Sequence, residues 1–407
     1  MRRWTRREFL GAALAGGAGL VLLPPLGCGT AARRGILDVP AEGYPLVEAE
    51  GSYGEIGYQL GLAMKESIRE FYRYSKTFAR CREYASGGGE KRLDAMFERA
   101  RSVFPHLVEE AEGMAEALEI PFAVFFAYQC RSEIEALACS PGCSTLALAG
   151  GGRFILAHNE DGDDLEVGRM IVARVSAPSG RTFVTFVYPG LIPGNGPGFN
   201  DAGIVQTTNF VEPHAVADGV PRYFVGRSIL EAASLDEAVA LATVEPRAFS
   251  WHHNLGSLAE GRLFSIETVA HPRPFHDVIE VEGFFLHTNH FVHPAMGGGD
   301  PEGDRPFDRI DVSTRTRWEV LTRAVREERV PATAADFMAL LSLHEGGPYG
   351  PCRHPEGKVR GVTLGAGLFD SSVPGMTLYH GNPCEERAAR YAIVPEPAVL
   401  ESAGSRR

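Results

Sequence analysis

A chain of 407 residues with 44% hydrophobic content can bury a large core, as one big domain or two ordinary ones, which excludes a disordered protein. Its formal charge of -12, with no basic stripe beyond the extreme N-terminus, excludes a nucleic-acid surface, because such a surface needs clustered Lys and Arg to replace counterions.

The first segment, MRRWTRREFLGAALAGGAGLVLLPPLGCGT, has an arginine-rich head, an apolar run from Ala12 to Leu23 and a small-residue exit. The run is too short to span a membrane and reads as a secretory signal. Thr5, Arg6, Arg7, Glu8, Phe9 and Leu10 resemble the twin-arginine export signature. PLGC resembles a lipoprotein box whose cysteine, Cys28, is acylated, although Pro25 stands where such boxes prefer Leu; the alternative is cleavage after a small residue nearby and release. Either way, residues 1–28 form the signal, and the mature protein is expected outside the cytoplasm, in the periplasm or at the cell surface, touching membrane only through a lipid on Cys28.

Residues 31 to about 45 read as a linker. From 51 to 85, Ile56, Leu60, Ala63, Met64, Ile68 and Phe71 recur at mostly helical spacing, and Gly57 and Gly61 let another element approach closely. After a polar GGGEKR break, a second helical region runs from Leu93 to Leu118, followed by the apolar IPFAVFFAYQCRSEIEAL. Beyond Cys143 the texture changes to extended runs. STLALA and RFILAHNE flank a GGG turn, GRMIVARVSA and RTFVTFVYP flank PSG, and GFNDAGIVQTTNFV carries an NDAG turn. An amphipathic helix is predicted from Val225 to Ala242, with Ser234 and Asp236 starting a new turn within it. Then come the hairpin WHHNLGSLAEGRLFSIETVA, the strand FFLHTNHF, and helices over 313–327 and 333–344, the latter capped by Thr333 with Asp336 three residues on. Final strands fall near VTLGAGLF and MTLYHG. Hairpins with segregated helix pairs predict an α+β layered fold.

Seven cysteines stand at 28, 81, 130, 139, 143, 352 and 384. With Cys28 set aside as a lipid site and Cys143 as a candidate nucleophile, five remain, an odd number that implies no complete disulfide framework. No CxxC pair occurs, which counts against a thiolate zinc site. The expectation is a protein with neither metal nor other cofactor.

Cys143 stands out because it follows Pro141 and Gly142 at the start of a hairpin. A thiol needs a base and an oxyanion stabiliser to attack an amide carbonyl, and no histidine sits in a local pattern that marks it as that base. If the Gly142–Cys143 bond breaks, however, the freed α-amine, with a pKa of about 7.7 to 8.0, lies beside its own thiol and can take its proton. Gly142 has no side chain to hinder attack on its carbonyl and permits the backbone geometry this requires. The returning strand brings HNED toward the cysteine, so Asn159 and Asp161 come within reach.

Taken in order, GSYGEIGYQLG, AEGMAEALEIPFAVFFAY, GCSTLAL with HNED, GFNDAGIVQTTN, HNLGSLAEGRLFSIE and LHTNHF resemble the acyl-coenzyme A:6-aminopenicillanic acid acyltransferase family, the isopenicillin N acyltransferase-like N-terminal nucleophile hydrolases. The resemblance covers most of residues 50 to 325. It implies a four-layer αββα sandwich and self-cleavage before Cys143. The products would be a helical α chain (29–142) and a catalytic β chain (143–407) that stay associated within one domain. It further implies Cys143 as nucleophile, Asp161 orienting the amine, and Asn254 donating its amide to the oxyanion. The family also uses a hydroxyl and an arginine after the HTNH strand, and Thr314 and Arg315 in DVSTRTR are the nearest match. His287, Asn289 and His290, with Asn159, are candidates for binding or supporting roles. The substrate would be a small amide or peptide.

Rival assignments stand beside these. Cys143 as a buried structural thiol fits a surface lipoprotein that only binds a ligand, and pairing with His158 fits a conventional thiol hydrolase; both keep the chain uncut. Asp161 and Asn254 are also ordinary turn residues. His287, His290 and His293 invite a metal, but strand alternation puts His287 and His293 on one face and His290 on the other, so structural histidines at a pocket rim are expected. EDGDDLE lacks the spacing of a calcium loop, and the GGG runs lack the Lys-Ser pair of a phosphate cradle.

Overall fold

The computed structural model describes residues 39–134, 142–213, 215–270, 274–297, 310–327 and 330–393. The export signal, Cys28 and Cys139 lie outside the described residues.

A short strand, β1 (Leu46–Glu50), leads into six helices: α1 (Tyr53–Tyr74), α2 (Lys76–Ser86), α3 (Glu90–Val103), α4 (Pro105–Leu118), α5 (Phe122–Gln129) and α6 (Arg131–Ile134). Ser52 starts α1 by accepting from the Glu55 N–H while the Glu55 carboxylate reaches back to the Ser52 N–H. The helix expected over 51–85 is broken at Ser75, whose extended backbone ends α1 and whose hydroxyl caps α2 at Phe78. The region from Leu93 to Leu118 divides at Phe104, because Pro105 lacks an N–H and so opens α4. Glycine sets the spacing between α1 and α4. A Cβ on Gly57 would lie 1.9 Å from Glu110 O, and one on Gly113 would lie 2.0 Å from Gly54 O.

After Cys143 the chain builds two sheets. β2 (Ser144–Gly150), β3 (Arg153–Asp163), β4 (Ile171–Ser176), β5 (Thr182–Val187), β6 (Gly198–Asn200) and β7 (Ile204–Phe210) precede α7 (Arg222–Ile229) and α8 (Leu235–Ala242). The single helix predicted from Val225 to Ala242 is thus two helices, the second capped by the Ser234 hydroxyl at Glu237. Then come β8 (Trp251–Ser257), β9 (Arg262–Val269), β10 (Phe275–Glu280), β11 (Gly283–His287), α9 (Val312–Glu327), α10 (Ala334–Leu341), β12 (Gly361–Asp370), β13 (Val373–His380) and β14 (Ala388–Tyr391).

One eight-stranded sheet runs β1-β4-β5-β6-β7-β8-β9-β10, and a six-stranded sheet runs β11-β2-β3-β12-β13-β14. Pairing is antiparallel except for β1 on β4. Alternation along β2 and β3 turns Ala147, Phe154 and Leu156 inward to a core shared with Val184, Val205 and Leu255 of the larger sheet. Leu146, Ala157 and Leu286 face the other way and pack beneath Leu321, Phe337 and Leu341 of α9 and α10. The helices around α1 and α8 cover the outside of the larger sheet. This is the four-layer αββα sandwich, with Cys143 entering it at the head of β2.

Candidate active site

The hairpin of β2 and β3 does bring the acidic end of HNED to the cysteine, but through Glu160. The Cys143 thiol donates to Glu160 Oε1 at 3.5 Å, and the Tyr188 hydroxyl donates to the same oxygen at 2.5 Å. On the other side of that carboxylate, His158 Nε2 lies 3.2 Å from Oε2, and His158 Nδ1 lies 2.8 Å from the Thr145 hydroxyl. Cys143, His158 and Glu160 thus satisfy one another within a hydrogen-bonded chain that continues from Thr145 to Asn209. Asn159, one residue from Glu160, projects to the opposite face and donates to Leu341 O and Pro351 O, so it ties down neighbouring chain instead of reaching the cysteine.

Asp161 lines the same cavity as Cys143. Its Oδ1 accepts from the Thr363 hydroxyl at 2.8 Å, and Oδ2 lies 3.9 Å from Arg353 Nη1. Burial pushes the Asp161 carboxyl up to about 7, against the opposing pull of Arg353 and Arg317. Burial, then the Glu160 and Asp161 carboxyls, push the Cys143 thiol well above its ordinary value. In the uncut chain the sulfur is therefore held as a neutral thiol.

The carbonyl side of Cys143 is held by α9. Arg317 Nη1 donates to Cys143 O at 2.5 Å and to the Ser144 hydroxyl at 3.1 Å, while its Nη2 donates to Asn289 Oδ1 at 2.6 Å. Thr314, one turn earlier, accepts from the Asn289 N–H at 2.7 Å. The Thr314 hydroxyl thus meets Asn289, which in turn accepts from Arg317. Arg317, and not Arg315, reaches Cys143, because on a helix position i+3 shares a face with Thr314 and position i+1 does not; Arg315 is partly exposed on another face. That spacing within DVSTRTR was the available signal. Glu160, Tyr188 and Arg353 had none beyond residue type.

The two asparagines occupy different surroundings. Asn254, on β8, is wholly buried and directs Nδ2 to Thr207 Oγ1 at 3.0 Å, with Asn209 Oδ1 and Thr145 Oγ1 each at 3.4 Å. Neither Asn254 nor Asn289 lines the cavity that contains Cys143. Asn289 stands against the peptide before the cysteine: a Cβ on Gly142 would lie 2.2 Å from its Oδ1 and 2.0 Å from Arg317 Nη2. A side chain at 142 would have to displace both side-chain ends.

The three histidines do divide by face, but all are buried within the structure and none lines the cavity rim. His287 Nε2 and the His293 N–H both meet the Glu267 carboxylate, with His287 stacked on His252 at 3.5 Å between ring centroids. His290 instead faces the Thr314 hydroxyl at 3.0 Å.

The cavity over Cys143 has a volume of about 690 Å³ and is walled by Glu160, Asp161, Tyr188, Tyr223, Trp251 and Arg222, among others. The Arg222 guanidinium lies over the Trp251 ring, 3.1 Å from its centroid, and its buried Nε and Nη1 find no acceptor among the described residues.

Among known proteins, the beta-alanyl-dopamine/carcinine hydrolase of Drosophila melanogaster is 24% identical over 372 residues, spanning 84% of this chain and 94% of its own length. Two solved structures align at lower similarity. The Caenorhabditis elegans N-acylethanolamine-hydrolyzing acid amidase ortholog has a TM-score of 0.39 and 16% identity, over 57% of this chain and 94% of its own. Penicillin V acylase from Agrobacterium tumefaciens has a TM-score of 0.33 and 10% identity, over 58% of this chain and 82% of its own. The family model described as acyl-coenzyme A:6-aminopenicillanic acid acyl-transferase matches residues 148–385, more than half of the chain. The chain belongs to that family, as the order of its motifs led us to expect.

Proposed function

We propose that this family member is an exported amide hydrolase that matures by cutting its own Gly142–Cys143 bond and then uses Cys143 as an N-terminal nucleophile. The observation that carries the reading is the seat of that bond: Gly142 stands close against the Arg317 and Asn289 side chains, while the Cys143 thiol meets Glu160. In maturation, the sulfur attacks the Gly142 carbonyl and displaces the Cys143 nitrogen; water then cleaves the thioester, leaving a Gly142 carboxylate and a free α-amine.

In turnover, that amine takes the thiol proton as the sulfur adds to a substrate amide carbonyl. The oxyanion rests on the second Nδ2 hydrogen of Asn289, whose other hydrogen is held by Phe210 O at 2.7 Å, with Arg317 fixing the amide through Oδ1. The proton passes to the leaving amine, and the thioester acyl-enzyme yields to water. Asp161, supported by Thr363 and Arg353, orients the α-amine. Arg222 offers unused donors to a carboxylate or carbonyl of a small N-acyl compound or peptide. Hydrolysis is favoured over acyl transfer because acyl-coenzyme A is scarce outside the cytoplasm and because the Drosophila relative is named as a hydrolase. Tethering at Cys28 and passage by the twin-arginine route, already folded, complete the proposal.

Intact mass and N-terminal sequencing of the purified protein test it. Two fragments are expected, the second beginning Cys-Ser-Thr, and Cys143→Ala should leave a single chain without amidase activity. A wild-type chain that stays whole, as a ligand-binding lipoprotein or a Cys143–His158 enzyme requires, overturns the reading. So does cleavage that persists in Cys143→Ala.

A further inference from the structure

Away from the active site, a second group of chemistry-bearing side chains converges where the segment after α10 meets the end of β13. His344, Cys352, His354 and Cys384 each direct one donor atom inward, and the four atoms lie within 4.8 Å of one another. His344 Nε2 and His354 Nε2 are 3.3 Å apart, Cys352 Sγ is 3.7 Å from His354 Nε2, and Cys384 Sγ is 3.5 Å from it. Zinc bonds of about 2.0–2.1 Å to nitrogen and about 2.3 Å to sulfur give a tetrahedron with N···N edges of about 3.3–3.4 Å and N···S edges of about 3.5–3.6 Å. The three separations from His354 Nε2 lie within about 0.2 Å of those edges.

We propose that these residues form a structural zinc site, a closed Cys2His2 tetrahedron that fixes one wall of the active-site cavity. The absence of a CxxC pair had counted against thiolate zinc, but the ligands come together through the fold. Cys352 and His354 sit two apart on non-helical chain and so point the same way, and Cys384 arrives from beyond β13. The surroundings suit a metal thiolate. Asn382 Nδ2 donates to Cys352 Sγ at 3.3 Å and is oriented by Arg353 O at 2.7 Å. Binding replaces two thiol protons by one Zn²⁺ and releases both protons to solvent. The segment so pinned carries Arg353 opposite Asp161 and Pro351 O beneath Asn159, which gives the ion its structural purpose.

Full-length protein purified under reducing conditions, stripped by chelator and titrated with Co²⁺ and then Zn²⁺, tests the proposal. Cobalt should bind at one equivalent per chain with the strong visible bands of a tetrahedral site and a thiolate-to-cobalt charge-transfer band, both abolished by zinc. Cys352→Ser and Cys384→Ser should each weaken binding at least about tenfold, whereas Cys143→Ala should keep the spectrum, separating this site from the Cys143–His158–Glu160 group. No binding, a weak octahedral spectrum, a spectrum lost only in Cys143→Ala, or a Cys352–Cys384 disulfide in peptide maps of the untreated protein would overturn it. The wild-type spectrum decides even if a cysteine variant fails to fold.

Discussion

Two charged residues at the seat of Cys143 make separable predictions. Arg317 touches the Cys143 carbonyl and Asn289 together, so Arg317→Ala removes a charge-assisted donor from the peptide that follows the bond to be cut and releases the Asn289 side chain that stands against Gly142. The rate at which fragments appear after synthesis should fall about 100-fold, the order seen when an oxyanion donor is lost. Arg315→Ala should leave it within about twofold, because that side chain sits on another face of α9. Equal effects of the two would contradict the assignment. Asp161 acts on pH dependence. Its folded pKa, about 7, lies above the free carboxyl value near 3.9, so between those limits the folded state binds more protons than the unfolded one. The contribution is therefore fully present at low pH and is lost as pH rises through 7. In uncut Cys143→Ala protein, urea-derived stability should fall between about pH 4.5 and about pH 7.5 by up to roughly 1.4 kcal/mol per unit of Asp161 shift more than in Cys143→Ala/Asp161→Asn. Parallel pH curves would remove Asp161 from the account.

At the scale of helices and strands, close approach is the testable feature. Gly57→Ala drives a Cβ into the Glu110 carbonyl, backbone against backbone, so neither α1 nor α4 can yield by turning a side chain. Destabilisation of about 1–3 kcal/mol is expected in urea melts. Gly54→Ala, on the same helix, meets nothing nearer than 3.8 Å and should be neutral or gain up to about 1 kcal/mol from helix propensity. This contact was legible in the sequence, because a pair of glycines four apart on an apolar helix face opens a groove that a neighbouring backbone can enter. The hairpins were legible for a similar reason, each turn being local. β1, β10 and β14 were not: β1 is a short strand adjoining linker-like chain, β10 is a largely exposed edge, and each is defined only by a partner far along the chain or by the sheet it closes. The surroundings of Asn254 and Asn289 have the same origin. Asn254 lies within β8 and Asn289 just past β11, and only the stacking of two sheets decides which side chain meets Gly142 and which is enclosed with Thr145, Thr207 and Asn209.

At the scale of the molecule, scission at Cys143 would divide a single core. The elements before the cut, β1 and α1–α6, are packed into those beyond it: β1 pairs with β4, and Ile56, Leu60 and Met114 share one hydrophobic cluster with Val172, Phe183 and Phe224. At the heart of that interface, Glu110 of α4 and Arg227 of α7 meet at 2.7 Å with both side chains fully buried, and Arg227 Nη1 reaches Glu231 at 2.8 Å. Processed fragments should therefore elute together in gel filtration and separate only on denaturation. Arg227→Met leaves the Glu110 carboxylate buried without its cation and should cost about 3–5 kcal/mol, while the triple variant Glu110→Leu/Glu231→Gln/Arg227→Met, in which Glu231 is neutralised as well, should recover most of it. Measured on processed protein, the single variant should release the N-terminal fragment at lower urea than wild type, and the triple variant should restore the midpoint. If the triple variant is as weak as the single, the interface depends on the shape of these side chains and not on the cancellation of charge between them.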